Sequence, residues 1–342
     1  MRRLHQSDME KYIEFNRAVY PLRKGLEKSI EFKLKCPGSE LDNDSFPSLI
    51  ALNNDDAIIG QFQLLPCIYH YRGGKYDANW GMDYIVDEKH RGGSAGVFLA
   101  KQALKNPHFG MGLSSISFKI HILFGETHIG NYKKFIRFKS PVSLISFVLR
   151  NIFNFVTPQK EGCFVDYPQE LHVKGANYKI VDDFSLFNGL PFRSDVIEFD
   201  RSSTFMKWRY GQYRSAFKIF ASTSGTTLNA FFVVRLVFWK KCPFLLLVDY
   251  RYKEGYLNSL IKAVKKLLGQ SKAMGIITLS TLDEIDKELH KNLFFRFGQM
   301  GSIVSNVKHK FSQDEIDNRA LIQLTFADSD ADFFYGNKEW YE

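Results

Sequence analysis

The four cysteines of this 342-residue chain, Cys36, Cys67, Cys163 and Cys242, lie far apart and form no Cys-x-x-Cys pair. That argues against a zinc site or a disulfide framework and leaves reduced thiols in the cytoplasm as the expectation. No apolar stretch follows the arginines of residues 1–8, so the start does not read as a secretory signal. No run reaches the roughly 20 apolar residues that a membrane-spanning helix needs. The nearest, residues 141–156, is interrupted by Arg150 and Asn151; it reads as a connecting helix buried between domains, with an interfacial membrane helix as the lesser alternative. The net charge of +9, from 46 Lys and Arg against 37 Asp and Glu, is spread out rather than gathered into a basic block with interleaved aromatics. Nucleic acid is therefore disfavoured as a partner, and phosphorylated small molecules fit the charge equally well. Neither Gly-Lys-Ser/Thr nor Gly-x-Gly-x-x-Gly occurs where a phosphate loop would need it, which excludes a Walker-type loop and weighs against a dinucleotide fold. Asp328-x-Asp330-x-Asp332 with Glu339 has EF-hand-like spacing, but Phe333 replaces the glycine of the sharp turn, so no metal is expected.

What the chain does have is a run of small residues in an informative place. Arg91-Gly92-Gly93-Ser94-Ala95-Gly96 follows a strand-like segment, Trp80-Gly81-Met82-Asp83-Tyr84-Ile85-Val86. It precedes Val97, Ala100, Ala103 and Leu104, which recur at helical spacing until Pro107. A helix start carries unpaired N–H groups and a partial positive charge, and glycines let a pyrophosphate approach them closely. The alternative for so short a pattern is a strand-to-helix turn whose glycines are steric.

The order of elements recurs. In the first half, strands over 57–70 and 75–86 turn at Arg72-Gly73-Gly74. The Gly-rich turn and its helix follow, then an expected strand over 114–124 and a second helix closing on Phe135-Ile136-Arg137-Phe138. In the second half, strands over 228–238 and 244–250 precede an amphipathic helix with Leu257, Leu260, Ile261, Val264, Leu267 and Leu268 on one face. A strand over 276–280 comes next, and the block closes on Phe294-Phe295-Arg296-Phe297. Val86 stands 52 residues before Phe138, and Val248 stands 49 before Phe297. We read a duplicated α/β domain, with residues 1–155 carrying the phosphate turn and 156–342 a degenerate copy.

On these residues the chain resembles the GNAT acyltransferases, whose signature is Gln/Arg-x-x-Gly-x-Gly/Ala after the fourth strand. Arg91 and Gly96 match, Ser94 replaces the first required glycine, and Val86 stands five residues before the arginine. The resemblance implies an α+β fold with a mixed sheet, here as two tandem GNAT-like domains, and acetyl-CoA or another acyl-CoA as co-substrate. It implies an acyltransferase acting on an amine or hydroxyl of a small-molecule or sugar acceptor, as in surface polysaccharide pathways. Tandem arrangements also resemble FemABX-like aminoacyl-tRNA-dependent ligases, and a catalytically inactive CoA-binding module is a third reading.

The cofactor-binding residues implied are Val86, Arg91, Gly92, Gly93, Ser94, Ala95, Gly96 and Val97. The backbone near Val86 would meet the oxyanion, and the N–H groups from Gly93 to Val97 the diphosphate. Tyr132, placed in the helix after the fifth strand, would be the acid that protonates the departing thiolate. Asp83 is the leading carboxylate for the base, with His121, Glu126 and His128 nearby, because a histidine titrates near neutrality whereas an aspartate needs burial to do so.

Overall fold

The computed structural model describes residues 1–23, 25–39, 44–153, 167–212, 216–307 and 322–328. The first half runs β1 (Arg2–His5), α1 (Met9–Val19), α2 (Leu26–Leu34), β2 (Ser45–Leu52), β3 (Ile58–Tyr71), β4 (Gly74–Val86), α3 (Ala95–Ala103), β5 (His108–Met111), α4 (Ser115–Leu123), β6 (Thr127–Phe138) and α5 (Pro141–Ile152). The second runs β7 (Glu170–Val173), β8 (Ala176–Ile180), β9 (Ile197–Phe199), α6 (Ser203–Met206), β10 (Phe217–Ser224), β11 (Thr227–Trp239), β12 (Cys242–Tyr252), α7 (Leu257–Gln270), β13 (Gly275–Ser280), α8 (Asp283–Lys291), β14 (Phe295–Ser305) and β15 (Ile322–Gln323). From β2 to β6 and from β10 to β14 the same series of strands and helices repeats. The boundary read between residues 155 and 156 lies outside the described residues.

One mixed sheet takes the order β1-β2-β3-β4-β5-β14-β6-β13-β12-β11-β10-β8-β7. The two halves exchange their last strands. β14 of the second half pairs antiparallel with β5 of the first, through Ile303 opposite Met111. β6 of the first pairs antiparallel with β13 of the second, from Gly275 opposite Phe138 to Ser280 opposite Lys133. The exchanged strands also pair with each other at the centre. The phenylalanine-rich composition is spent here and around it: Phe109, Phe135, Phe231, Phe232 and Phe244 are all fully buried. Burying a Phe side chain is worth about 1.5–3 kcal/mol, so separating the halves at this seam would expose a large apolar area.

Three expectations are corrected. Residues 115–123 form a helix and not a strand, because Ser114 accepts a hydrogen bond from the Ser117 N–H at 3.2 Å and caps it. The alternating Ile116, Phe118, Ile120 and Ile122 mimic a strand, but the strand at this point is the short β5, just after Pro107. The segment closing on Phe138 is a strand, residues 127–138, and not a helix; with residues 295–305, also a strand, it is paired on both sides in the middle of the sheet. Finally, α5 is not buried between domains. Val142, Ile145 and Ile152 are exposed, and only Phe147 is inserted, stacked on Trp239 at 5.3 Å. No helix among the described residues is long and apolar enough to cross a membrane.

Candidate active site

β4 and β5 run parallel and pair only from Asn79–Gly81 against His108–Gly110. Beyond Gly81 they part, leaving the last five residues of β4 without a paired strand on that side among the described residues. Against β3, Gln61 faces Ile85 but Gln63 faces Met82, so Asp83 and Tyr84 together oppose Phe62. This is a β-bulge, and Asp83 takes φ of 43° within it. Bulges beside a splayed strand turn backbone groups out of the ladder, where a ligand can reach them. The sequence reading put the exposed backbone near Val86; the bulge lies two to three residues earlier, and no residue type announced it.

The turn from β4 to α3 sits at the top of this wedge. The Val86 carbonyl accepts from Arg91 Nε at 3.0 Å, which closes the turn on the strand end. The Gly93 N–H donates to the His90 carbonyl at 3.3 Å, so it is engaged in the turn and not offered to a ligand. Among the described residues nothing accepts from the N–H groups of Ser94, Ala95, Gly96 or Val97, the first turn of α3. The glycines divide by role. Gly92 has φ of 94°, which a side chain would strain, and Gly93 faces open space apart from that carbonyl. Gly96 is packed: a Cβ there would lie 3.1 Å from the Tyr84 hydroxyl, which itself donates to the Gly96 carbonyl at 2.8 Å.

Asp83 is placed beside the wedge but is already committed. Arg23 Nη1 and Nη2 reach its two oxygens at 3.0 and 2.9 Å, and Lys33 Nζ reaches Oδ2 at 3.0 Å. Burial alone would push the carboxyl up; Lys33 and Arg23 outweigh burial and hold it well below the usual carboxylate range. A carboxylate so held does not take a proton near neutrality, so Asp83 is a brace tying β4 to α2 and to the loop between α1 and α2, and not the base expected from the sequence. Neither Arg23 nor Lys33 stood out in the sequence, because their partner is 50 to 60 residues away.

Tyr132 is on strand β6 and not on a helix. It lies beside Gly301 of β14, where any Cβ would run into its ring, and its hydroxyl lies 3.3 Å from where a Cβ of Gly112 would stand, just past β5. Two glycines thus clear a slot that delivers the phenol to the β5 wall. Burial raises it, keeping it protonated, and nothing among the described residues hydrogen-bonds its oxygen. Glu126 and His121 are buried with His108, and His128 packs on Phe118. Burial pushes the Glu126 carboxyl up, but the adjacent imidazoles of His108 and His121 leave it below its ordinary value.

On the other face, a cavity of about 240 Å³ lies between the halves, lined by Leu65, Trp80, Phe199, Phe205, Trp208 and the Asp200–Arg201 pair. Trp80 comes from the last paired turn of β4, so the cavity begins where the wedge does. It was not legible in the sequence, because its walls come from both halves.

A mixed sheet with splayed central strands, a bulge on the first and a glycine-bearing helix start above it define the GNAT class of acyltransferase folds. The solved structures agree. The chain resembles the crystal structure of a GCN5-related N-acetyltransferase from Anabaena variabilis ATCC 29413, with a TM-score of 0.59 and 12% identity over 88% of this chain and 71% of that one. It resembles a probable N-acyltransferase from Enterococcus faecalis V583, with a TM-score of 0.56, 11% identity and the same shares covered. It also resembles Saccharomyces cerevisiae N-myristoyltransferase with bound myristoyl-CoA, with a TM-score of 0.53 and 10% identity over 87% of this chain and 80% of that one. At these identities the likeness is one of fold. No known family profile and no curated protein matches the sequence.

Proposed function

We propose that the chain is an acyl-CoA-dependent acyltransferase whose co-substrate lies in the β4/β5 wedge of the first half. The observation that carries this is the pairing of an open wedge and bulge with four unengaged N–H groups at the start of α3. Those N–H groups and the partial charge of the helix start are suited to a diphosphate. When bound, the thioester would supply an activated acyl carbonyl and a thiolate leaving group.

The chain's own residues supply the rest. The bulge at Asp83–Tyr84 offers backbone groups to the carbonyl oxygen as it gains charge. Tyr132 holds a proton on its hydroxyl at the β5 wall and gives it to the departing sulfur. With Asp83 committed to its cations, the acceptor nucleophile loses its proton to water. The acceptor is a small amine or a sugar hydroxyl, held in the cavity around Trp80, Phe199 and Trp208; its volume admits little more than that. The cytoplasm, where reduced cysteines and acyl-CoA coexist, is the compartment this reading assigns.

Isothermal titration with acetyl-CoA and myristoyl-CoA, followed by thiol release with a panel of amines and amino sugars, tests the proposal. Saturable binding with turnover supports it. No heat beyond dilution for any acyl chain length overturns it. Binding without turnover would instead favour a CoA-binding module, the reading that Asp83's engagement independently supports.

A further inference from the structure

Beneath the wedge, His108, His121 and Glu126 form a buried cluster that the acyl-transfer reading does not use. His108 opens β5, His121 lies on α4, and Glu126 sits between α4 and β6, its N–H fixed to the His121 carbonyl at 3.1 Å. The three residues are at most 5% exposed. One donor atom from each, His108 Nε2, His121 Nδ1 and a Glu126 oxygen, lies within 4.8 Å of the others. Phe62 presents its edge to both imidazoles, with ring centroids 6.0 and 6.1 Å away.

The hydrogen bonds do not close without a cation. His108 Nδ1 lies 3.1 Å from the Asn106 carbonyl, which can only accept, so Nδ1 carries the proton of the neutral ring. Nε2 then has a lone pair, and it faces Glu126 Oε1 at 3.1 Å. His121 Nδ1 converges on the same oxygen. The other oxygen, Oε2, is buried and has no hydrogen-bond partner among the described residues. An extra proton would settle the first conflict but leave Oε2 bare, at the cost of an unmade buried bond. A divalent cation engages all of these atoms together. The backbone bond from His108 Nδ1 is also the usual way a protein fixes the tautomer of a metal-ligating histidine.

We propose that His108 Nε2, His121 Nδ1 and both oxygens of Glu126 bind one zinc ion. Two imidazoles and a carboxylate suit zinc, and around it nitrogen and oxygen donors stand about 3.3 Å apart, which the observed spread reaches with small side-chain adjustments. With no face open to solvent the ion is structural: it ties the start of β5 to α4 and fixes one wall of the wedge. The ligands stand 13 and 5 residues apart without a cysteine, which is why no sequence signature marks them.

The test uses the full chain and is independent of acyl transfer. The protein is stripped with a chelator, reloaded with zinc, passed through a desalting column and assayed for metal by mass spectrometry, alongside Glu126→Gln and His121→Asn. The expected result is about one zinc per chain for the parent, with each variant binding roughly a hundredfold or more weakly in competition with a chromophoric chelator. Less than about a tenth of a zinc per reloaded chain, or undiminished binding in the variants, overturns the proposal. Should both variants fail to fold, X-ray absorption of the zinc-loaded parent decides. Imidazole and oxygen scatterers support the site; sulfur in the shell, or no imidazole, refutes it.

Discussion

Replacing Asp83 by Asn separates a brace from a base. In the parent, Lys33 is 4% exposed and its charge is met by Asp83 at 3.0 Å and by Gln63 Oε1 at 3.1 Å. Arg23, at 30%, can turn outward; Lys33 cannot. The variant takes a carboxylate away from a buried ammonium, and removing one partner of a buried pair costs about 3–5 kcal/mol. Because Arg23 can relax into water, we expect about 3 kcal/mol, read as a lowered urea midpoint at unchanged slope. The double variant Asp83→Asn with Lys33→Met should recover part of the loss, since the buried ammonium is removed together with its carboxylate. The pH dependence has a fixed sign. The folded carboxyl lies below its unfolded value of about 3.9, so the stabilisation is full above that pH and fades as pH falls through the folded value. Between pH 5 and 8 it should not change. An Asp83→Asn protein with the parent's urea midpoint, but a lost or shifted acidic limb in its pH–rate profile, would refute the brace and restore Asp83 as base.

Further outcomes follow from the same geometry. Tyr132→Phe should leave the urea midpoint within about 0.5 kcal/mol of the parent while lowering kcat by about a hundredfold or more, measured as thiol release. Gly301→Val should give the same kcat loss by another route, because its side chain takes the space of the Tyr132 ring; normal turnover in that variant would count against the phenol. Gly93→Asp should weaken CoA binding with little change in melting temperature, since the position is open, whereas Gly96→Val should lower the melting temperature itself by crowding Tyr84. Arg201→Met should destabilise by about 3–5 kcal/mol in urea, because Arg201 holds the buried carboxylates of Asp249 at 2.7 Å and Asp328 at 2.8 Å.

The sequence carried what is local and what repeats. The hairpin at Arg72-Gly73-Gly74, the helix after the Gly-rich turn, α7 and the recurrence of the block all follow from periodicity over 10 to 15 residues, and all are present. The errors came where tertiary pairing overrides a local pattern. The segment around Phe135 reads as helical in isolation but is flanked by β14 and β13, and the exchange between halves leaves no mark in either segment alone. Candidate site residues divided in the same way. The turn from Arg91 to Val97 is contiguous and legible, while Arg23, Lys33, Gly112 and Gly301 acquire meaning only from neighbours distant in the chain. The spacing around Asp328 resembled a calcium loop; its described member is instead ion-paired to Arg201, and the remainder lies outside the described residues.

The comparison of the two wedges explains why one half alone would take a cofactor. β12 and β13 repeat the geometry of β4 and β5. They pair from Phe244–Leu246 against Gly275–Ile277, then part, and β12 has its own bulge at Val248, where the register against β11 shifts. This second wedge is filled by the chain. Leu324 N–H donates to Thr281 Oγ1 just past β13 at 3.1 Å, Ala327 N–H donates to the Val248 carbonyl at the bulge at 3.0 Å, and Thr325 Oγ1 donates to Asp249 at 2.9 Å. Leu324 and Phe326 are at most 1% exposed there. The plug thus spans both walls and takes up the bulge carbonyl, and the turn above it, shortened to Lys253–Tyr256, lacks the serine and paired glycines of its counterpart. Among the described residues no hydrogen bond bridges β4 and β5 in this way. A fold that needs its splayed strands for packing would close both wedges; closing one with Leu324–Ala327 of its own chain, while among the described residues the other stays open beneath four unengaged N–H groups, is the pattern expected when that one is kept for a ligand.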